Sequence, residues 1–166
     1  MTVPQIARER VSFVDYKPRT VHVRKNSNQT NVMLGNLAYS ITEDKRDPFL
    51  LLTNIIGGQG MNTRLNMSIR EKKGLAYSVE ANYTSFSDIG LFSIYCGCDP
   101  RNTDHCIELI FKELDKIKKN KLGTMQLYYA KKQFVGQVAL SNETKLNEML
   151  TLGHTALFFD EVDTVE

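Results

Sequence analysis

Two glycine breaks fix the middle of this chain. Gly57-Gly58-Gln59-Gly60 stops one helix-spaced apolar run, and Gly74 stops the next, so the segment between them holds one short helix. From Ala76 a run with strand alternation begins. The junction sets Arg70 at the helix end and Tyr77 at the strand start, seven residues apart. Two long side chains at such a junction can both reach a peptide laid along the neighbouring sheet. By spacing alone, Arg70 also reads as an exposed helix-end arginine and Tyr77 as a sheet-face tyrosine, and spacing favours that plainer reading.

The segments on either side predict the rest of the architecture. Residues 11–14 and 19–25 alternate apolar and polar, with Pro18 between them. Residues 30–39 form a further β-like run, with Val32, Leu34 and Asn36 on one face and Met33, Gly35 and Leu37 on the other. The turn chemistry of Asn26-Ser27-Asn28-Gln29 predicts a hairpin between 19–25 and 30–39. A helix is expected to open at Thr42-Glu43-Asp44-Lys45, to carry Phe49, Leu50, Leu52, Thr53 and Ile56 on its apolar side, and to end at Gly57-Gly58. Met61, Leu65 and Ile69 lie four apart on the next helix, with Asn62 or Thr63 as N-cap.

Strands at 76–84 and 89–98, joined by Ser85-Phe86-Ser87-Asp88, predict an antiparallel hairpin. Simple alternation puts Tyr77, Val79, Ala81 and Tyr83 on one face and Ser78, Glu80 and Asn82 on the other. Asp99-Pro100-Arg101-Asn102 starts a helix whose buried stripe is Cys106, Leu109, Ile110, Leu114 and Ile117, with Glu108–Lys112 and Asp115–Lys119 as outer ion pairs. Gly123 breaks it, and two more helices are expected over about 125–141 and 143–159. The expected fold class is α+β: one domain over residues 1–166, a mainly antiparallel β-sheet with helices packed on one face in a two-layer sandwich.

Composition removes several function classes. A hydrophobic fraction of 42% with 24% charged residues suits a globular core. The net charge is +2, and the one basic run, Lys116 to Lys121, sits where cations complement a helix C-terminus, so no nucleic-acid partner is implied. No apolar run is long enough for a membrane span, and the N-terminus lacks the pattern of a signal peptide. Cys96, Cys98 and Cys106 read as buried free thiols, which suit a reducing, cytoplasmic interior; a periplasmic setting is the alternative. A structural zinc site using these cysteines and His105 would need four converging ligands, and the spacing matches no common pattern.

The same elimination applies to catalysis. His22, His105 and His154 are isolated, and none belongs to an H-x-x-E-H set, so no metal ligand is assigned in this chain. There is no G-x-S-x-G elbow and no Cys–His signature. The Gly57–Gly60 loop lacks a Gly-Lys-Ser/Thr ending and comes after a helix, so it reads as a tight turn with positive φ between packed helices, not a phosphate cradle.

One joint pattern is far more specific. Gly57-Gly58-Gln59-Gly60, then Arg64-Leu65, then Arg70-Glu71-Lys72-Lys73-Gly74-Leu75-Ala76-Tyr77 resembles the C-terminal half of pitrilysin/insulinase-family zinc peptidases. The similarity runs from Gln29-Thr30-Asn31-Val32 through Gly90-Leu91-Phe92 and Asp99-Pro100 to Lys131-Lys132-Gln133-Phe134, and outweighs an unrelated α+β binding domain. The resemblance implies two similar α+β halves closing around a chamber. The N-terminal half carries H-x-x-E-H and the zinc, and the C-terminal half lends an Arg/Tyr pair.

Carried onto this chain, Arg70 would hydrogen-bond a substrate backbone carbonyl. Tyr77 would be the catalytic donor to the oxygen of the carbonyl under attack. The partners implied are a peptide substrate and the zinc-binding half or a companion subunit, in a homo- or heterodimer. The first half is absent, so the chain is expected to be most of a C-terminal peptidase domain, inactive alone, with zinc held elsewhere in the full-length enzyme. The alternative is a non-catalytic homologue, a partner or structural subunit of a peptidase or respiratory-type complex.

Overall fold

The computed structural model describes residues 15–159. Strands β1 (Thr30–Ala38), β2 (Ala76–Ser85) and β3 (Gly90–Cys98) form a three-stranded antiparallel sheet in the order β1-β3-β2. The expected hairpin between 19–25 and 30–39 does not form. Residues 19–25 carry no strand, Val21 and Val23 are exposed, and β1 pairs instead with β3, from Thr30 opposite Cys98 to Ala38 opposite Gly90. The run 11–14 lies outside the described residues.

Helix α1 (Arg46–Gly57) begins four residues later than Thr42 suggested. Pro48 explains the shift: it has no N–H to donate and is tolerated only in a first turn. Phe49 stands edge-on to Tyr39, Tyr83 and Phe92, and Thr53, Ile56 and Gly57 are buried. The positive φ expected of the glycine loop falls at Gly60, at 139°, and Gly57 serves a different purpose. A Cβ there would sit 2.7 Å from the backbone nitrogen of Ala81, so the glycine lets the helix end press onto β2.

The next helix is wound more widely than its spacing predicts. Asn66–Glu71 is a π-helical turn in which the Lys72 amide donates to the Met67 carbonyl at 3.2 Å. Thr63 starts it: its carbonyl accepts from the Met67 amide at 2.9 Å and its hydroxyl from the Asn66 side-chain amide, also at 2.9 Å. Leu65 and Ile69 are fully buried, while Met61 is exposed.

Helix α2 (Thr103–Lys119) continues from a 3₁₀ turn, Pro100–Asn102, and buries Cys106, Leu109 and Ile110, with Leu114 and Ile117 packed at the core's margin. Its expected outer ion pairs are replaced. Glu108 faces His105 at 3.7 Å, and Lys116 faces Glu113 at i,i+3. Glu113 is buried against the core, so the lysine one turn on is its natural counter-ion.

α1 and the π-helical turn lie against β2, and α2 lies against that turn and β3. The core between layers contains Ile56, Leu65, Ile69, Val79, Ile94, Cys96 and Ile110, each large aliphatic side chain contributing about 1.5–3 kcal/mol on burial. The result is the α+β sandwich expected, with helices on one sheet face. Contacts divide the chain after Asn120. The second unit contains α3 (Thr124–Ser141) and α4 (Lys145–Phe159), which expose Tyr128, Tyr129, Leu146 and Leu157. Among the described residues no helix is long and apolar enough to cross a membrane.

Candidate functional site

Arg70 is positioned by the glycine cap just beyond it. Gly74 stands at φ 62° and donates its amide to the Arg70 carbonyl at 2.8 Å, while the Leu75 amide donates to Ile69 at 3.1 Å. This left-handed cap ends the π-helical turn and turns the chain into β2. The buried Ile69 anchors the last turn from below, and Arg70 projects outward, with its side chain 43% exposed. Among the described residues its one ion-pair contact, with Glu71 at 3.8 Å, is long and solvent-screened. The guanidinium fork keeps most of its donors for another partner.

Tyr77 is placed by a β-bulge. Ala76 pairs with Cys98 and Ser78 with Gly97, so Tyr77 is the extra residue with no partner on β3. The bulge shifts the phase of the strand. Ala76 and then Val79 and Ala81 face the core, whereas simple alternation had grouped Tyr77 with Val79 and Ala81. Tyr77 is instead 61% exposed. Among the described residues its hydroxyl has no protein hydrogen-bond partner, and no hydrogen bond joins it to Arg70.

Sequence reasoning missed the ion pair that follows β3. Asp99 is the main influence on the Arg101 guanidinium and raises its pKa, with a lesser contribution from the Tyr77 phenol. The Arg101 guanidinium donates to both Asp99 carboxylate oxygens, at 3.2 and 3.3 Å, and the Arg101 amide donates to the same carboxylate at 2.9 Å. These bonds hold the Asp99 carboxyl below its usual range. Asp99-Pro100-Arg101-Asn102 was legible only as a helix start, and the side chain's direction depends on the Asp99 turn.

The sheet face turned away from the helices is polar near this corner. Tyr95 donates its hydroxyl to the Asn31 side chain at 2.7 Å, and Ser78 and Gln29 lie over Gly97. Arg70, Tyr77 and this face offer outward-facing donors suited to backbone carbonyls of an extended peptide.

The described residues do not fit a catalytic zinc. His105 faces Glu108 at 3.7 Å and Lys73 Nζ at 3.4 Å, His154 lies against Phe158, and His22 is exposed in coil. Among the described residues, the one converging group of three or more His, Cys, Asp or Glu donors is Cys96, Cys98 and Cys106.

The family model of the peptidase M16 inactive domain matches residues 3–134. The chain is 31% identical over 144 residues to an uncharacterized zinc protease of Streptomyces coelicolor, covering 87% of this chain and 31% of that protein. It is 26% identical over 126 residues to the human mitochondrial-processing peptidase subunit alpha, covering 70% of this chain and 24% of the subunit. A crystal structure of a peptidase M16 inactive domain from Pseudomonas fluorescens superposes with a TM-score of 0.72 at 26% identity, covering 80% of this chain and 31% of that one. The chain spans about a third of the length of the first curated relatives it matches. With most of its length matched by that model, and with the sheet and helices of its solved relative, the chain belongs to the peptidase M16 inactive-domain family, the C-terminal, non-zinc-binding half of pitrilysin/insulinase-type peptidases.

Proposed function

We propose that this chain is the substrate-clamping domain of a zinc-dependent endopeptidase, completing an active site whose zinc and general base belong to another part of the same protein. The observation that carries the reading is the bulge at Tyr77, which turns a tyrosine out of the core beside the capped helix end bearing Arg70. Arg70 orients the peptide by donating to a backbone carbonyl. Tyr77 donates its hydroxyl to the oxygen on which charge develops, where a preorganised donor is typically worth ~3 kcal/mol. The chain by itself is expected to cleave nothing.

A second reading is supported by the human relative, named as a subunit of a processing peptidase. In it, this chain lends Arg70 and Tyr77 to a zinc-bearing companion. Zinc content and chelator-sensitive cleavage of the intact parent protein separate the two. One bound zinc with cleavage supports the self-contained enzyme. No zinc and no cleavage alone, with cleavage restored by a zinc-bearing companion, supports the subunit. Absence of cleavage in both settings would overturn the proposal.

A further inference from the structure

The buried thiols are independent of the proposed peptide site, and they meet in a way their spacing did not predict. Cys96 and Cys98 point to the same side of the central strand, and Cys106 approaches from the first turns of α2. All three are free, fully buried, and have sulfurs within 4.8 Å of one another. Backbone pairing fixes two of them: Cys96 lies between Val32 and Val79, and Cys98 between Thr30 and Ala76. Their polar neighbours are few, with Thr103 Oγ1 3.8 Å from the Cys98 sulfur and the Leu75 carbonyl 3.8 Å from that of Cys106.

We propose that Cys96, Cys98 and Cys106 form a trigonal three-thiol site for a trivalent thiophilic metalloid, the chemistry of arsenous acid. Donor number and charge decide among the thiophilic centres. Three sulfurs converge, and among the described residues no fourth His, Cys, Asp or Glu donor joins them. Burial raises Cys96 to about 12 and Cys106 to about 11, and besides burial only other thiols act on either group. A divalent zinc would displace three protons to leave a buried anion, with no fourth protein donor of the kind zinc takes.

Arsenous acid avoids that cost. Three As–O bonds break and three As–S bonds form. Each departing hydroxide takes one thiol proton and leaves as water, so three waters are released. Arsenic stays trivalent, nothing is oxidised or reduced, and the product is as neutral as the reactants. Entry to so buried a site needs local opening of the sandwich, so loading is slow while the loaded state is held by the closed fold.

The test uses the 166-residue chain, reduced with a phosphine and incubated anaerobically with sodium arsenite. After desalting, one arsenic per chain is expected, with an intact mass increased by one arsenic less three hydrogens. With arsenite held at ~100 times its dissociation constant, Tm should rise by roughly 5 °C, because the ligand binds the folded state. Folded Cys98→Ala and Cys106→Ala variants should retain arsenic at least tenfold more weakly.

No retained arsenic, a lowered Tm, or unchanged retention in Cys106→Ala would each overturn the site. A zinc-induced rise in Tm as large as that from arsenite would overturn the charge argument. The direction of the wild-type Tm shift decides the matter even if neither variant folds.

Discussion

Gly74 donates its amide to the Arg70 carbonyl at 2.8 Å while standing at φ 62°, so one glycine both ends the helix and aims the arginine. No heavy atom lies within 4 Å of where a Cβ would sit. The cost of Gly74→Ala is therefore conformational, roughly 1–2 kcal/mol for a left-handed alanine. If the chain relieves it by unwinding the cap, Arg70 moves. Under the proposed function, we expect KM of the intact protein to rise several-fold with zinc content unchanged, and Gly74→Asn to recover most of the loss. An unaltered KM in a destabilised Gly74→Ala enzyme would separate the cap from substrate binding.

Tyr77→Phe removes one hydroxyl from an exposed side chain, so the fold should be indifferent to it. The expected Tm change is within about 2 °C. Under the proposed function, kcat of the intact protein should fall by about one to three orders of magnitude with zinc retained, since the donor would be lost where charge develops. A wild-type rate would remove Tyr77 from the mechanism.

Gly57 tests the layer contact that supports this junction. Its missing side chain lets α1 end against the backbone of Ala81, and a Cβ would lie 2.7 Å from that nitrogen. Backbone cannot swing aside as a flexible side chain can. Gly57→Ala should therefore lower stability by about 1–3 kcal/mol in chemical denaturation, and Ala81→Gly should not rescue it fully. A neutral Gly57→Ala would show that the helix end shifts freely.

Periodicity was a good guide wherever a repeated pattern set the structure. The alternation of β3 and the stripe Cys106, Leu109, Ile110 on α2 lie where their spacing put them, because burying an apolar face requires that period. Single-residue irregularities escaped it. The bulge at Tyr77 inserts one residue and reverses the grouping of Tyr77 with Val79, and the π-helical turn widens a run that Leu65 and Ile69 marked as ordinary helix. Val21 and Val23 alternate as a strand would, yet β1 takes β3, a pairing that depends on sequence-distant partners. Arg70 and Tyr77 stand out in the sequence only through their resemblance to a family motif. The Arg101–Asp99 pairing was not legible, because it exists only once the Asp99 turn has folded.

The thiol cluster also predicts how stability depends on alkaline pH. Burial pushes Cys96 up to about 12 in the folded chain, from an ordinary value of 9.0. Below pH 9 both folded and unfolded states keep this proton, and the thiol adds no pH dependence. Between about 9 and 12 the unfolded state releases it while the folded state holds it. Unfolding then becomes easier as pH rises, by at most about 1.4 kcal/mol per pH unit for one such thiol. Cys106, pushed to about 11, adds to the same slope over a narrower window. Chemical denaturation at pH 8, 9 and 10 should show wild-type stability falling more steeply than that of Cys96→Ala, with the two curves converging in slope below pH 8. Parallel curves from pH 8 to 10 would mean that Cys96 is solvated and titrates as it does in the unfolded chain.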